Sequence, residues 1–255
     1  MLANSVIGDG QPLILLHGLF GMGGNLSMIA KPLAESFKVY SLDLRNHGRS
    51  PRADSMTLSE MAADVREFMD AYGINRAHLL GHSLGGKVAM QVALNYPKRV
   101  ERLVVADIAP VAYGGGHSDV FAGLEAVNLS KLTSRRDADK VLCQFIKEDN
   151  VRMFLLKNLY RGEKGEFEWR LNLPALSRCY PCLGQANECD QPFTGPVLFI
   201  KGELSDYIKE AYSDATRLLF PRAQLKIIQN TGHWLHAENP VIFNQLVTRF
   251  LASDI

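Results

Sequence analysis

The sequence predicts an α/β protein, with a mostly parallel central sheet flanked by helices and a helical insertion set into it. Short, continuous apolar runs alternate with longer stretches of helical periodicity, the pattern of strands covered by helices on both faces. The alternation stops after Asp107 and resumes only at Pro196, with amphipathic segments in between.

The strand-like runs fall at residues 12–16, 38–42, 77–81, 102–106, 196–200 and 224–229. Between the second and third, Leu58, Met61, Ala62, Val65, Phe68, Met69 and Tyr72 follow i, i+3, i+4 spacing, and Thr57 with Glu60 forms a capping-box start. Further helices are expected after Gly81, over about 207–219, and from Asn239-Pro240, where proline suits the first helical position. Such β-α-β alternation implies right-handed crossovers. In the interval, residues 119–127, 135–146 and 150–160 read as amphipathic helices, separated by Gly114-Gly115-Gly116 and by residues 161–165. The expected organisation is a core of residues 1–107, a helical lid over 108–192 and a second part of the core over 193–255.

Composition narrows the partners. The 255 residues carry 28 Lys and Arg against 27 Asp and Glu, a formal charge of +1. No basic cluster exceeds Arg135-Arg136, so the electrostatics that dominate nucleic-acid affinity are missing, as is a polybasic patch for membranes. No apolar run approaches the ~18 to 20 residues of a spanning helix, and residues 1–5 show neither the basic nor the apolar region of a secretory signal. A cytoplasmic protein is expected, monomeric or weakly dimeric. Cysteines at 143, 179, 182 and 189 are too few and too clustered for a disulfide framework, and free thiols are expected.

The most informative stretch is Gly81-His82-Ser83-Leu84-Gly85, a Gly-x-Ser-x-Gly pattern that a buried strand enters and a helix leaves. A nucleophile elbow needs that context: the serine occupies a strained turn, and small residues two before and two after permit close backbone approach. A serine hydroxyl needs a base, which on this scaffold follows the last strand. His233, in Thr231-Gly232-His233-Trp234, is that base. His236 is its rival, read as a packed or solvent-facing histidine, and a His-x-x-His zinc site lacks further ligands nearby.

Acyl transfer also needs backbone donors for the oxyanion. Leu84 N–H is one, and Leu19 N–H, in the glycine-rich turn His17-Gly18-Leu19-Phe20-Gly21 after the first run, is the other.

His17-Gly18, the Asp43–Ser50 turn (Asp43-Leu44-Arg45-Asn46-His47-Gly48-Arg49-Ser50), Gly81-His82-Ser83-Leu84-Gly85-Gly86 and Gly232-His233, in that order, resemble the α/β-hydrolase superfamily over nearly the whole chain. Val104-Val105-Ala106-Asp107-Ile108-Ala109-Pro110 and Glu168-Trp169-Arg170-Leu171-Asn172-Leu173 resemble more closely the bacterial YbfF-type esterases and their mitochondrial relatives. The resemblance implies the α/β-hydrolase fold and a serine esterase, with short-chain esters and acyl-CoA thioesters as substrates. No metal or organic cofactor is implied, coenzyme A entering only as part of a substrate.

Two aspartates compete as the acid that orients His233. Gly202-Glu203-Leu204-Ser205-Asp206 places Asp206 one position late for the usual Gly-x-x-Asp turn, and Asp206 also suits a helix N-cap. Asp107 stands at the carboxyl end of a buried run, where ligand-facing residues of open α/β sheets collect, and resemblance to the YbfF-type enzymes implies this earlier position. Asp107 is preferred and Asp206 retained as the alternative.

The Asp43–Ser50 turn reads mainly as scaffold. Cys179-Tyr180-Pro181-Cys182 has redox spacing but lies in the insertion, away from a βαβ strand. Phe121, Leu124, Val127, Met153, Phe154, Leu155 and Leu156 are candidates to line an acyl cleft. The rival functions are other chemistry on the same triad (C–C hydrolase, perhydrolase or lyase) and a slow-turnover small-molecule receptor.

Overall fold

The computed structural model describes residues 1–253. Its core elements are β1 (Asn4–Ile7), β2 (Gln11–Leu16), α1 (Ser27–Leu33), β3 (Phe37–Leu42), α2 (Leu58–Ala71), β4 (Ala77–His82), α3 (Leu84–Asn95) and β5 (Val100–Ala106). The insertion follows with α4 (Ser118–Ala126), α5 (Arg135–Leu142), α6 (Asp149–Leu156), β6 (Leu159–Arg161), β7 (Phe167–Trp169) and α7 (Leu173–Leu183). The core resumes with β8 (Val197–Gly202), α8 (Ser213–Leu219), β9 (Ala223–Ile228), α9 (Leu235–Glu238) and α10 (Pro240–Ala252).

Seven strands form one sheet in the order β1-β3-β2-β4-β5-β8-β9, parallel except for β1, which pairs antiparallel with β3. Side chains alternate between its faces: Leu13, Leu15, Leu80 and Val104 join a core with Ile29 and Phe243, while Ile14, Leu16, Leu79 and Val105 join one with Met61 and Phe68. Burial on both faces is why these strands read as unbroken apolar runs. Two helix starts read from sequence are present. Thr57 and Glu60 exchange capping-box bonds at α2, and the Asn239 side chain accepts from Ile242 N–H ahead of Pro240.

The insertion is not wholly helical. Residues 150–160 do not continue as one helix: α6 ends at Leu156, and Leu159–Arg161 pairs antiparallel with Phe167–Trp169 around the turn at 162–166. Among the described residues no helix is long and apolar enough to cross a membrane.

The chain leaves β2 outward to β3 and returns to β4 on the other side of β2, so the carboxyl ends of β2 and β4 border the crevice of an open parallel sheet. The residues singled out for chemistry lie just beyond strand ends there: Leu19 after β2, Ser83 after β4, Asp107 after β5 and His233 after β9.

Candidate active site

β4 runs directly into α3 through Ser83, whose backbone sits at φ +53°, ψ −120°. A side chain held there costs about 1 to 3 kcal/mol. Ser83 N–H donates to Ala106 O at 3.0 Å, and Lys87 N–H returns to Ser83 O at 3.1 Å, so sheet and helix both hold the strained residue. A Cβ on Gly81 would overlap the Gly85 carbonyl, and one on Gly85 would overlap the Leu16 carbonyl. The two glycines therefore permit the contact of α3 with β2 and with the elbow.

His233 bridges Ser83 and Asp107. Its Nε2 lies 3.0 Å from Ser83 Oγ, and its Nδ1 lies 2.7 Å from Asp107 Oδ2. Asp107 is completely buried and, like Ser83, has a positive φ of 53°. Its carboxylate also accepts from Gly202 N–H at 3.0 Å and from the Ser205 hydroxyl. Asp206, the alternative acid, is 93% exposed at its side chain and lies 3.4 Å from Lys209 Nζ. It caps no helix, since the 3-10 turn ahead of α8 starts from Lys209. His236 is buried edge-on to His82 and bonds neither Ser83 nor Asp107.

Two supports of His233 escaped sequence reading. His82 Nε2–H donates to the His233 carbonyl at 2.8 Å, and Tyr207 stacks on the His233 ring with centroids 4.0 Å apart. His82 looked like the variable position of Gly-x-Ser-x-Gly, and nothing local distinguishes Tyr207.

Leu19 N–H and Leu84 N–H have no acceptor among the described residues. The loop carrying Leu19 is held from below. His17 Nε2 accepts from Leu44 N–H at 3.0 Å, which leaves its proton on Nδ1 for Gly18 O at 2.8 Å. His47 does the same, accepting from Phe20 N–H at 3.2 Å and donating to Arg45 O at 2.9 Å. Asp43 accepts from Gly23 N–H at 2.7 Å, and from the lid Asn158 Nδ2 donates to Phe20 O at 2.8 Å. The Asp43–Ser50 turn thus does more than its reading as scaffold suggested, because it sets the position of the Leu19 loop.

These histidines must stay neutral to accept. Burial pushes His17 down to about 4, and burial followed by the neighbouring His17 pushes His47 down to about 3. An unfolded chain takes up its histidine protons near pH 6.5, so below that pH it binds more protons than the folded one. Stability from each group is complete above about pH 6.5 and falls by up to about 1.4 kcal/mol per pH unit as pH drops toward the folded value. Thermal melts from pH 7.5 to 4 should show Tm falling with acidification, and His47→Gln, which keeps an acceptor for Phe20 N–H, should flatten that slope. Equal slopes in both proteins would contradict the assignment.

Comparison with known proteins gives the family. A sequence profile of the alpha/beta hydrolase fold matches residues 11–129. The sn-1-specific diacylglycerol lipase ABHD11 of Xenopus laevis is 43% identical over 253 residues, spanning 96% of this chain and 80% of that protein. The chain belongs to the α/β-hydrolase family. Esterase YbfF of Escherichia coli is 37% identical over 244 residues, covering 95% of this hydrolase and 94% of that enzyme. The solved structure of a marine microorganism esterase superposes with a TM-score of 0.95 at 39% identity, covering 98% of each chain. These relatives set the chain among the esterase and lipase hydrolases of the family.

In this α/β-hydrolase a cavity of about 580 Å³ opens over the site. Gly18, Leu19, Ser83 and His233 form its floor, and Val151, Met153, Phe154 and Leu155 bring the lid's apolar side chains to its wall. Of the residues proposed from sequence as cleft lining, Met153, Phe154 and Leu155 reach the cavity, whereas Phe121, Leu124 and Val127 are buried in the core and Leu156 packs against it without lining the cavity. The four cysteines are free thiols; Cys179 is buried and Cys182 exposed. Among the described residues no group of three or more His, Cys, Asp or Glu side chains is arranged to hold a metal ion.

Proposed function

We propose that the chain hydrolyses carboxylic esters of short to medium acyl chains, and acyl-CoA thioesters as a further substrate class, through Ser83, His233 and Asp107. The observation that carries this reading is the unbroken series Asp107 Oδ2, His233 Nδ1, His233 Nε2, Ser83 Oγ at the floor of a cavity with apolar walls. Names of relatives support the same class, since they include an esterase and a diacylglycerol lipase.

His233 Nε2 takes the proton as Ser83 Oγ bonds to the carbonyl carbon. The carbonyl oxygen becomes an oxyanion and accepts from Leu19 N–H and Leu84 N–H, donors already free of other partners. Asp107 stabilises the imidazolium, which then protonates the departing alcohol or thiol as the bond to the acyl carbon breaks. Water, deprotonated by His233, attacks the acyl-Ser83 ester; collapse of the second tetrahedral intermediate returns the proton to Ser83 and frees the acid.

Fluorophosphonate labelling, with the adduct located by peptide mass, tests the proposal. Phosphonylation of Ser83 in the wild type and its loss in Ser83→Ala is the expected result, with ester turnover lost in parallel. Folded wild-type protein that takes no label and turns over no ester would favour the receptor reading.

A further inference from the structure

Phe20, the residue after the proposed oxyanion donor Leu19, is buried with a left-handed backbone at φ +62°. Bulky side chains rarely adopt that conformation, so the surroundings must hold it there. Phe20 is the third residue of the turn that Gly21 N–H closes on Gly18 O at 3.0 Å, and a Cβ on Gly18 would stand 3.2 Å from Ser83 Cβ. The turn thus carries the Gly18-Leu19 peptide against the nucleophile. Gly18 O also accepts from His17 Nδ1, and a trans peptide turns its N–H away from its carbonyl. The aim of Leu19 N–H therefore depends on the shape of this turn, and that shape on Phe20.

Phe20 is held from two sides. The core takes its N–H through His47 Nε2 at 3.2 Å, and the lid takes its carbonyl through Asn158 Nδ2 at 2.8 Å. No other donor reaches that carbonyl among the described residues. Asn158 is fully buried between α6 and β6, and its Nδ2 also donates to Leu155 O at 3.2 Å, in the helix turn whose Leu155 side chain lines the cavity. Among the described residues Asn158 Oδ1 is buried without a partner. An amide with half its capacity unmet is a costly way to fill space, and the bonds it does make join the cavity wall to the loop of Leu19.

We propose that Asn158 is a positioning residue: its amide, acting through the Phe20 carbonyl, holds Leu19 N–H where the oxyanion forms, so that the lid completes the oxyanion site as well as covering it. The proposal rests on the esterase reading with Leu19 as a donor.

Asn158→Leu keeps the size of the side chain and removes the donor, and Asn158→Ala removes it with less demand on packing. On p-nitrophenyl butyrate each should lower kcat by about 10- to 100-fold with little change in KM, since displacing a reacting group by about 1 Å can cost about 10² in rate. A pair of ketones of one shape separates positioning from packing. Ser83 Oγ adds to the carbonyl carbon of 1,1,1-trifluoroheptan-2-one, the serine proton passes to His233 Nε2, and the carbonyl oxygen becomes an oxyanion that accepts from Leu19 N–H and Leu84 N–H. Heptan-2-one binds without that addition. In both variants Ki of the trifluoro ketone should rise by the factor by which kcat/KM falls, while Ki of heptan-2-one stays nearly unchanged; neither value depends on any unfolded fraction. Asn158→Gln, which keeps an N–H donor, should recover part of the loss. With an active wild type, an unchanged kcat in both donorless variants, or equal rises in the two Ki values, would overturn the proposal and leave the esterase reading intact. A wild type that neither turns over the ester nor distinguishes the two ketones would overturn both.

Discussion

Asp107→Asn is expected to lower kcat by about 10⁴, the loss that follows the same change in a serine protease triad, while Asp206→Asn stays within a few-fold. The asparagine oxygen can still accept from Gly202 N–H, as Asp107 Oδ1 does at 3.0 Å. Its NH₂ then faces His233 Nδ1 across the 2.7 Å contact and favours the tautomer with the hydrogen on Nε2. That nitrogen is the one 3.0 Å from Ser83 Oγ, and once protonated it cannot take the serine's proton. Geometry survives while base function is lost, so the fall should appear in kcat and in the rate of fluorophosphonate labelling, with little change in KM or Tm. Asp206 has no comparable path to the site, since its exposed carboxylate lies beside Lys209. A large loss from Asp206→Asn with none from Asp107→Asn would return the acid to the later loop.

The difference between the two aspartates explains what sequence reading reaches. β2, β3, β4, β5 and β8 were legible because each is buried on two faces and so reads as an apolar run, whereas β9, at the other edge of the sheet, is largely exposed and was read from its Leu225, Ile227 and Ile228. Burial decided less for β1, a short edge strand with only one face of the sheet's rim to cover, and for the β6-β7 hairpin, whose three-residue strands carry no readable period. Ser83 stood out because Gly81 and Gly85 on either side of it are glycines that the backbone requires, and His233 because it follows the last strand. Asp107 needed position along the fold, since the loop from β8 brings Ser205 to the place where an acid was the alternative expectation. His47, His82, Asn158 and Tyr207 act through contacts 27, 151, 138 and 26 residues away in the chain (to Phe20, His233, Phe20 and His233). Contacts at such separations leave no local pattern to read.

Gly85→Ala is expected to be a severely damaging single-methyl change at the elbow, lowering kcat by about 10² to 10³. In an ordinary helix, alanine is the better residue by up to about 1 kcal/mol. Here the added Cβ would overlap the Leu16 carbonyl and stand 2.6 Å from His17 O, and both are backbone atoms at the end of β2. No side chain can rotate aside, so relief requires α3 to move away from β2. Leu84 N–H travels with α3 and Leu19 N–H with the loop after β2, so the movement widens the distance between the two donors of the proposed oxyanion site. Overpacking of this kind costs about 1 to 3 kcal/mol of stability, which should appear as a lower Tm. The kinetic loss should exceed what any unfolded fraction explains, because misplacing a reacting group by about 1 Å can cost about 10² in rate. Gly24→Ala is the matched control: it lies in the turn before α1, and a Cβ there meets nothing within 4 Å. Equal activity in the two variants would mean that α3 and β2 can part without disturbing Leu84, and the oxyanion assignment to Leu19 and Leu84 would have to be abandoned.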